Sequence, residues 1–161
     1  PGQIGIDYAV TGTGMISPAI FRDHYLPYTK QYVEILHEGG KFYLDHSSGE
    51  PIRALLGMVK KSGVDGLYGL SVPHFGLGDA TLEEMRSVLG PDVTLVAGME
   101  PHLLATGTEK QIGEATKYLL DQCAEVGGRV MLGTADDTPY GTPAKNLAAV
   151  SEVVERYGYN L

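Results

Sequence analysis

The chain has 161 residues, 43% of them hydrophobic, and a mean hydropathy of −0.06, enough for one soluble domain, residues 1–161, with a real core. Twelve basic against twenty acidic residues give a formal charge of −8, which argues against a nucleic-acid backbone or an anionic membrane surface as partner. One cysteine, Cys123, excludes an intrachain disulfide and a cysteine-built metal cage, and suits a reducing cytoplasm.

No apolar run reaches the length of a membrane span, and no signal peptide is visible. Pro1 stands without a Met before it, which leads us to expect a processed or truncated product. Residues 4–10, "IGIDYAV", read as a strand that ends at the Gly-rich turn Thr11-Gly12-Thr13-Gly14. Residues 17–40 read as a helix: Ser17 caps it, Pro18 suits the first helical position, Pro27 should kink it, and Gly39-Gly40 stop it. Tyr25, Tyr28 and Tyr32 along it read as a packing stripe. "KFYLDH" (41–46) is a second strand and residues 51–63 a second helix. "GLYGLSV" (66–72) is a third strand. Residues 81–90 form a short helix with a Thr81/Glu84 capping box. "VTLVAGM" (93–99) is a fourth strand, and 108–128 a helix opened by Thr108 and Gln111. "RVMLGTA" (129–135) is a fifth strand, and 142–158 a last helix capped by Thr142 with Pro143 next.

Strand and helix thus alternate five times, the signature of a parallel α/β protein. A doubly wound sheet fits, and so does part of a (β/α)₈ barrel, since a complete barrel needs about 250 residues. Either way, ligands bind beyond the carboxyl ends of the strands. The candidate loops are therefore 11–17, 45–50, 73–79, 100–104 and 135–142. An incomplete barrel would also leave two unpaired edges that something must cover.

Those loops carry the chemistry-bearing residues. His46 ends a strand beside Asp45 and reads as a ligand or general base, against the plainer reading of a backbone-bonded loop histidine. Ser48 reads as a pocket residue or as a turn serine before Pro51. Asp136-Asp137 is a carboxylate pair suited to a divalent ion or a shared proton, or an Asx-type turn. Glu100, before Pro101, is a candidate pocket acid. Tyr140 is suited to lining a pocket for a large ligand or to anchoring its loop. Thr11 opens a Gly-rich turn that lacks the spacing and the lysine of a nucleotide site. His74 and His102 read as solvated, and Cys123 as a buried small apolar residue.

"MISPAIFRDHYLPYTKQYVEILHEGG" with "KFYLDHSSGE", "VTLVAGMEPHLLATGTEKQIGEATKYLL" and "GGRVMLGTADDTPYGTPAKNLAAVSEVVERYG" together resemble the uroporphyrinogen decarboxylase superfamily. That superfamily includes tetrapyrrole decarboxylases and corrinoid-dependent methyltransferases. The resemblance implies a TIM-type barrel, of which this chain matches the C-terminal half. It implies His46, Asp136 and Glu100 as catalytic candidates, and Ser48, Asp137, Tyr140 and Thr11 as substrate-binding ones.

The chain departs from the family pattern at telling places. The zinc-dependent methyltransferases end the second strand in His-x-Cys-Gly, whereas here it reads His46-Ser47-Ser48-Gly49. Their second cysteine falls on Asp136 or Asp137. His46 and Asp136 would offer a divalent metal such as zinc only nitrogen and oxygen. In the decarboxylases the last loop carries Gly-His-Gly, replaced here by Ala135-Asp136-Asp137. The resemblance implies methyl transfer linked to a corrinoid protein first, and decarboxylation of a porphyrinogen second. A third expectation, of another kind, is a non-catalytic or partner-dependent half-barrel. Its open edges would be covered by the missing N-terminal half or another copy of the chain.

Overall fold

The computed structural model describes residues 17–47 and 51–158. The expected first strand at 4–10, the turn at Thr11 and the loop residue Ser48 lie outside the described residues.

Ser17 opens the first helix, its Oγ accepting the Ile20 N–H at 3.3 Å. Helix α1 (Pro18–Ile20) passes through a π-helical turn, Phe21–Tyr25, into α2 (Leu26–Glu38). Leu26 N–H bonds back to the Phe21 carbonyl, one residue further than an α-helix allows. The wide turn sits directly before Pro27, whose ring would clash with the carbonyl four residues back and which has no N–H to give. The irregularity expected at Pro27 is this π turn. The tyrosine stripe packs only in part. Tyr25 stacks on Phe21 with ring centroids 6.0 Å apart, but Tyr28 and Tyr32 are exposed, because Phe21, Leu26, Thr29 and Val33 fill the buried face.

Strand β1 (Leu44–His46) leads to α3 (Leu56–Ser62), and β2 (Gly66–Leu70) to α4 (Leu82–Leu89). Both bonds of the Thr81/Glu84 capping box are made. Strand β3 (Thr94–Met99) is followed at once by α5 (Pro101–Thr106), a helix absent from the sequence reading because six residues carry too little periodicity to register. Helix α6 (Glu109–Val126) starts at the Thr108/Gln111 capping box. Strand β4 (Val130–Thr134) and α7 (Ala144–Tyr157) complete the chain. Thr142 does not cap α7. The cap position is Pro143, and the Thr142 hydroxyl instead donates to the Pro139 carbonyl at 2.8 Å. With Pro143 extended, Thr142 is held one residue too early to reach the helix N–H groups.

The strands form one parallel sheet in the order β1-β2-β3-β4. This is the α/β architecture of part of a TIM-type barrel, and the doubly wound alternative is set aside by the chain-order neighbours. The core lies between sheet and helices, with Tyr43, Leu67, Leu95, Met85, Ile112 and Leu119 fully buried. Burial fades toward β4. Strand β2 is buried almost throughout, whereas β4 is half-buried and its Met131 is 59% exposed. Among the described residues no strand pairs with the outer edge of β4. A groove of about 980 Å³ runs along that edge, lined by Leu120, Cys123, Val130, Met131, Val150 and Val154 among others. Cys123 is half-buried there, and burial pushes its thiol up to about 11, so it stays protonated and unreactive. No helix among the described residues is long and apolar enough to cross a membrane.

Candidate functional site

The parallel order brings the carboxyl ends of all four strands to one end of the sheet. His46 is the last residue of β1, paired in register with Tyr68 of β2. Its ring stacks on Tyr68, centroids 4.6 Å apart and 23° from parallel. It also lies against Gly69, where the backbone adopts φ +74°. An added Cβ there would lie 2.6 Å from His46 Cδ2 and 3.1 Å from the Ala135 carbonyl oxygen. The register between β2 and β3 shifts between Leu67 and Leu70, so Gly69 sits in a bulge. Bulges re-aim the groups beside them, and here the bulge makes room for an imidazole. Ser47 fastens the same place: its Oγ donates to the Gly69 carbonyl at 2.6 Å and its N–H to the Tyr68 carbonyl. Asp45 is fully buried, and its Oδ1 accepts the His46 N–H at 3.1 Å.

The loop after β4 crosses over β3 to reach this point. Ala135 N–H bonds to the Met99 carbonyl, and the crossing passes directly above Gly98. It delivers Asp136 Oδ1 to 3.8 Å from His46 Nε2, with side-chain exposures of 45% and 20%. That is within range of an ion pair and beyond a direct hydrogen bond. The same Oδ1 accepts the N–H of the next residue, Asp137, at 2.8 Å, which helps fix the carboxylate in place.

The other candidates fall elsewhere. Asp137 is exposed beside Asp136. Tyr140 is wholly exposed, at 107%. His74 is exposed, as expected, with its ring stacked on Tyr118 at 4.4 Å and meeting the edge of Phe75. His102 is exposed, its ring 3.4 Å from the Thr106 hydroxyl.

Glu100, just past β3, faces a separate cleft. Ser71, just past β2, donates its hydroxyl to Glu100 Oε1, and Ser71 Oγ accepts the Gly78 N–H at 3.1 Å. Desolvation raises the Glu100 carboxyl above its ordinary range, partly offset by the Ser71 hydrogen bond. Between the ordinary and the raised value the folded chain holds a proton that the unfolded chain has lost. Glu100 therefore costs stability as pH climbs through that window. Ser71 was invisible in the sequence, since a lone serine in "LSVP" carries no spacing signal. Asp79 was missed for the same reason. Its Oδ1 accepts the N–H groups of Ile52 and Arg53 at 2.8 and 2.9 Å, tying the loop after β1 to the loop after β2.

A tetrahedral zinc site takes at least three protein ligands. His46 and Asp136 supply two, and no group of three His, Cys, Asp or Glu residues capable of holding a metal occurs among the described residues. Cys123, the one thiol, lines the groove on the outer edge of β4. The donors among the described residues do not fit zinc.

An imidazole and a carboxylate assembled above the carboxyl ends of a parallel barrel-type sheet define the class: an α/β protein with the site placement of TIM-barrel enzymes. The family model for uroporphyrinogen decarboxylase (URO-D) matches residues 4–157, and the chain belongs to that family. Among solved structures it is similar to a methyltransferase from Methanosarcina mazei, with a TM-score of 0.70 at 20% identity, covering 97% of this chain and 42% of that one. The chain thus spans less than half the length of that relative. No curated protein matches the chain.

Proposed function

We propose that this chain contributes the His46/Asp136 part of a URO-D-superfamily active site that transfers a methyl group between a corrinoid carried on a partner protein and an acceptor sulfur. The observation that carries the reading is the approach of Asp136 to His46 at 3.8 Å across the ends of four parallel strands. The structural relative from Methanosarcina mazei, itself a methyltransferase, supports it. In this reading His46 accepts the proton of the incoming thiol, and the thiolate sulfur bonds to the methyl carbon as the carbon–cobalt bond breaks, its electron pair staying on the partner-borne corrinoid. Asp136 stabilises the imidazolium so formed, and Tyr68 and Ser47 hold the ring and backbone in place. Asp137 extends the acidic rim toward the substrate.

The test is demethylation of methylcobalamin by a small thiol, followed by absorbance, using the chain together with the polypeptide that completes its barrel. His46→Ala should lower the rate about a hundredfold, the lower end of general-base effects. An unchanged rate would sink the assignment. Binding of a porphyrinogen with no methyl transfer would shift the reading to decarboxylation.

The open β4 edge favours a second reading, in which the chain works only with a partner. The groove of about 980 Å³ and the exposed Met131 lie where a barrel would carry its next strand and helix. The occupant we propose is the remainder of a URO-D barrel, a reading supported by the match covering only 42% of the methyltransferase from Methanosarcina mazei. Size-exclusion chromatography with light scattering should find the isolated chain associated, above its 17.2 kDa mass. A well-behaved monomer at that mass would count against an uncovered edge.

A further inference from the structure

We infer that Glu100 and Ser71 form a second ligand subsite, one that takes the ammonium end of a small amine with an apolar body. The subsite stands apart from the His46/Asp136 pair and does not rest on the methyl-transfer reading.

A cleft of about 580 Å³ opens beside Glu100, a size that suits a small ligand. Its walls are mostly apolar, with Phe75, Leu77 and Leu103, and Glu100 supplies the carboxylate. Neither His46 nor Asp136 lines it. The carboxylate is built in rather than left over. Ser71 is buried, takes the Gly78 N–H on its oxygen and directs its own proton to Glu100 Oε1. Gly76 clears the space: a Cβ there would fall 1.8 Å from Glu100 Oε1. The other carboxylate oxygen has no hydrogen-bond partner among the described residues. A half-buried carboxylate with one fixed and one open oxygen, set in an apolar cleft, favours a partner that both donates hydrogen bonds and carries positive charge.

The titratable groups around it are few. The loop after β2 offers Phe75, Gly76 and Leu77, α6 offers the uncharged Gln111, and α5 offers His102. His74 is turned onto Tyr118. No cation on these elements already neutralises Glu100. Ser71 is a positioning residue, acting through Glu100.

The test uses 2-phenylethylammonium against its neutral counterpart 2-phenylethanol, with binding read from Leu77 and Leu103 methyl shifts in NMR. The amine should bind about tenfold more tightly than the alcohol, the difference a charged hydrogen bond makes. That preference should vanish in Glu100→Gln. Ser71→Ala should move the midpoint of the Glu100 carboxyl carbon titration upward, a readout that a purely structural serine would leave in place. Equal binding of amine and alcohol in the native chain would overturn the subsite, as would no shift with either. So would a preference that survives Glu100→Gln. The native comparison needs no variant to fold, and its failure leaves the His46 test untouched.

Discussion

Gly98→Ala is expected to unfold this chain or lower its melting temperature by about 6–12 °C. Gly98 lies in β3 beneath the point where the chain leaves β4, and a Cβ there would sit 2.1 Å from the Ala135 nitrogen and 2.2 Å from its Cα. Both atoms are backbone, so no side-chain rotation relieves the overlap. Either the strands separate or the crossing lifts, and the Ala135 N–H to Met99 bond goes with it. Overpacking a core costs about 1–3 kcal/mol and more when the obstacle cannot move. At about 3 kcal/mol, a chain of this length loses about 2–4 °C for each kcal/mol. Thermal unfolding followed by circular dichroism measures it. Gly57→Ala is the control: that glycine sits in α3 with nothing within 4 Å of the added carbon. There, alanine should stabilise the helix by about 1 kcal/mol. Equal melting temperatures for the two variants would show that the loop does not cross over Gly98.

Gly69→Ala should strike the candidate site and the fold together. A left-handed backbone at φ +74° costs a non-glycine residue about 1–3 kcal/mol. The added carbon also lies 2.6 Å from His46 Cδ2 and 2.7 Å from Nε2. The ring must therefore leave its stack on Tyr68 and its approach to Asp136. The expected result is a chain that still folds, with reduced stability, and with displaced His46 ring-proton resonances. Methyl transfer, if His46 serves it, should fall about as far as in His46→Ala. Resonances of His46 unmoved by the substitution would refute the packing described for it.

Folding physics explains which parts of this protein could be read along the chain. The helix starts were legible because capping is local. Ser17, Thr81 and Thr108 each bond N–H groups within three residues of themselves, so spacing alone reveals them. The strands were legible because a parallel sheet buries both faces of its strands, which leaves short continuous apolar runs such as "GLYGL". Helix α5 was missed because six residues complete fewer than two turns, and Thr142 was misread because Pro143 holds the chain extended at the cap.

Sequence order alone determined that strands and helices alternate. It followed that His46, Glu100 and Asp136 lie at one end of a parallel sheet, because parallel strands joined by crossover helices all point their carboxyl ends the same way. Only the tertiary structure decided which of them meet. Asp136 reaches His46 because the loop after β4 bends over a glycine, and Glu100 turns instead to Ser71, 29 residues earlier in the chain. Such encounters depend on backbone crossings and bulges a few ångströms in size. No local spacing encodes them, because the partners are brought together by strands that are neighbours in the sheet and distant in the chain.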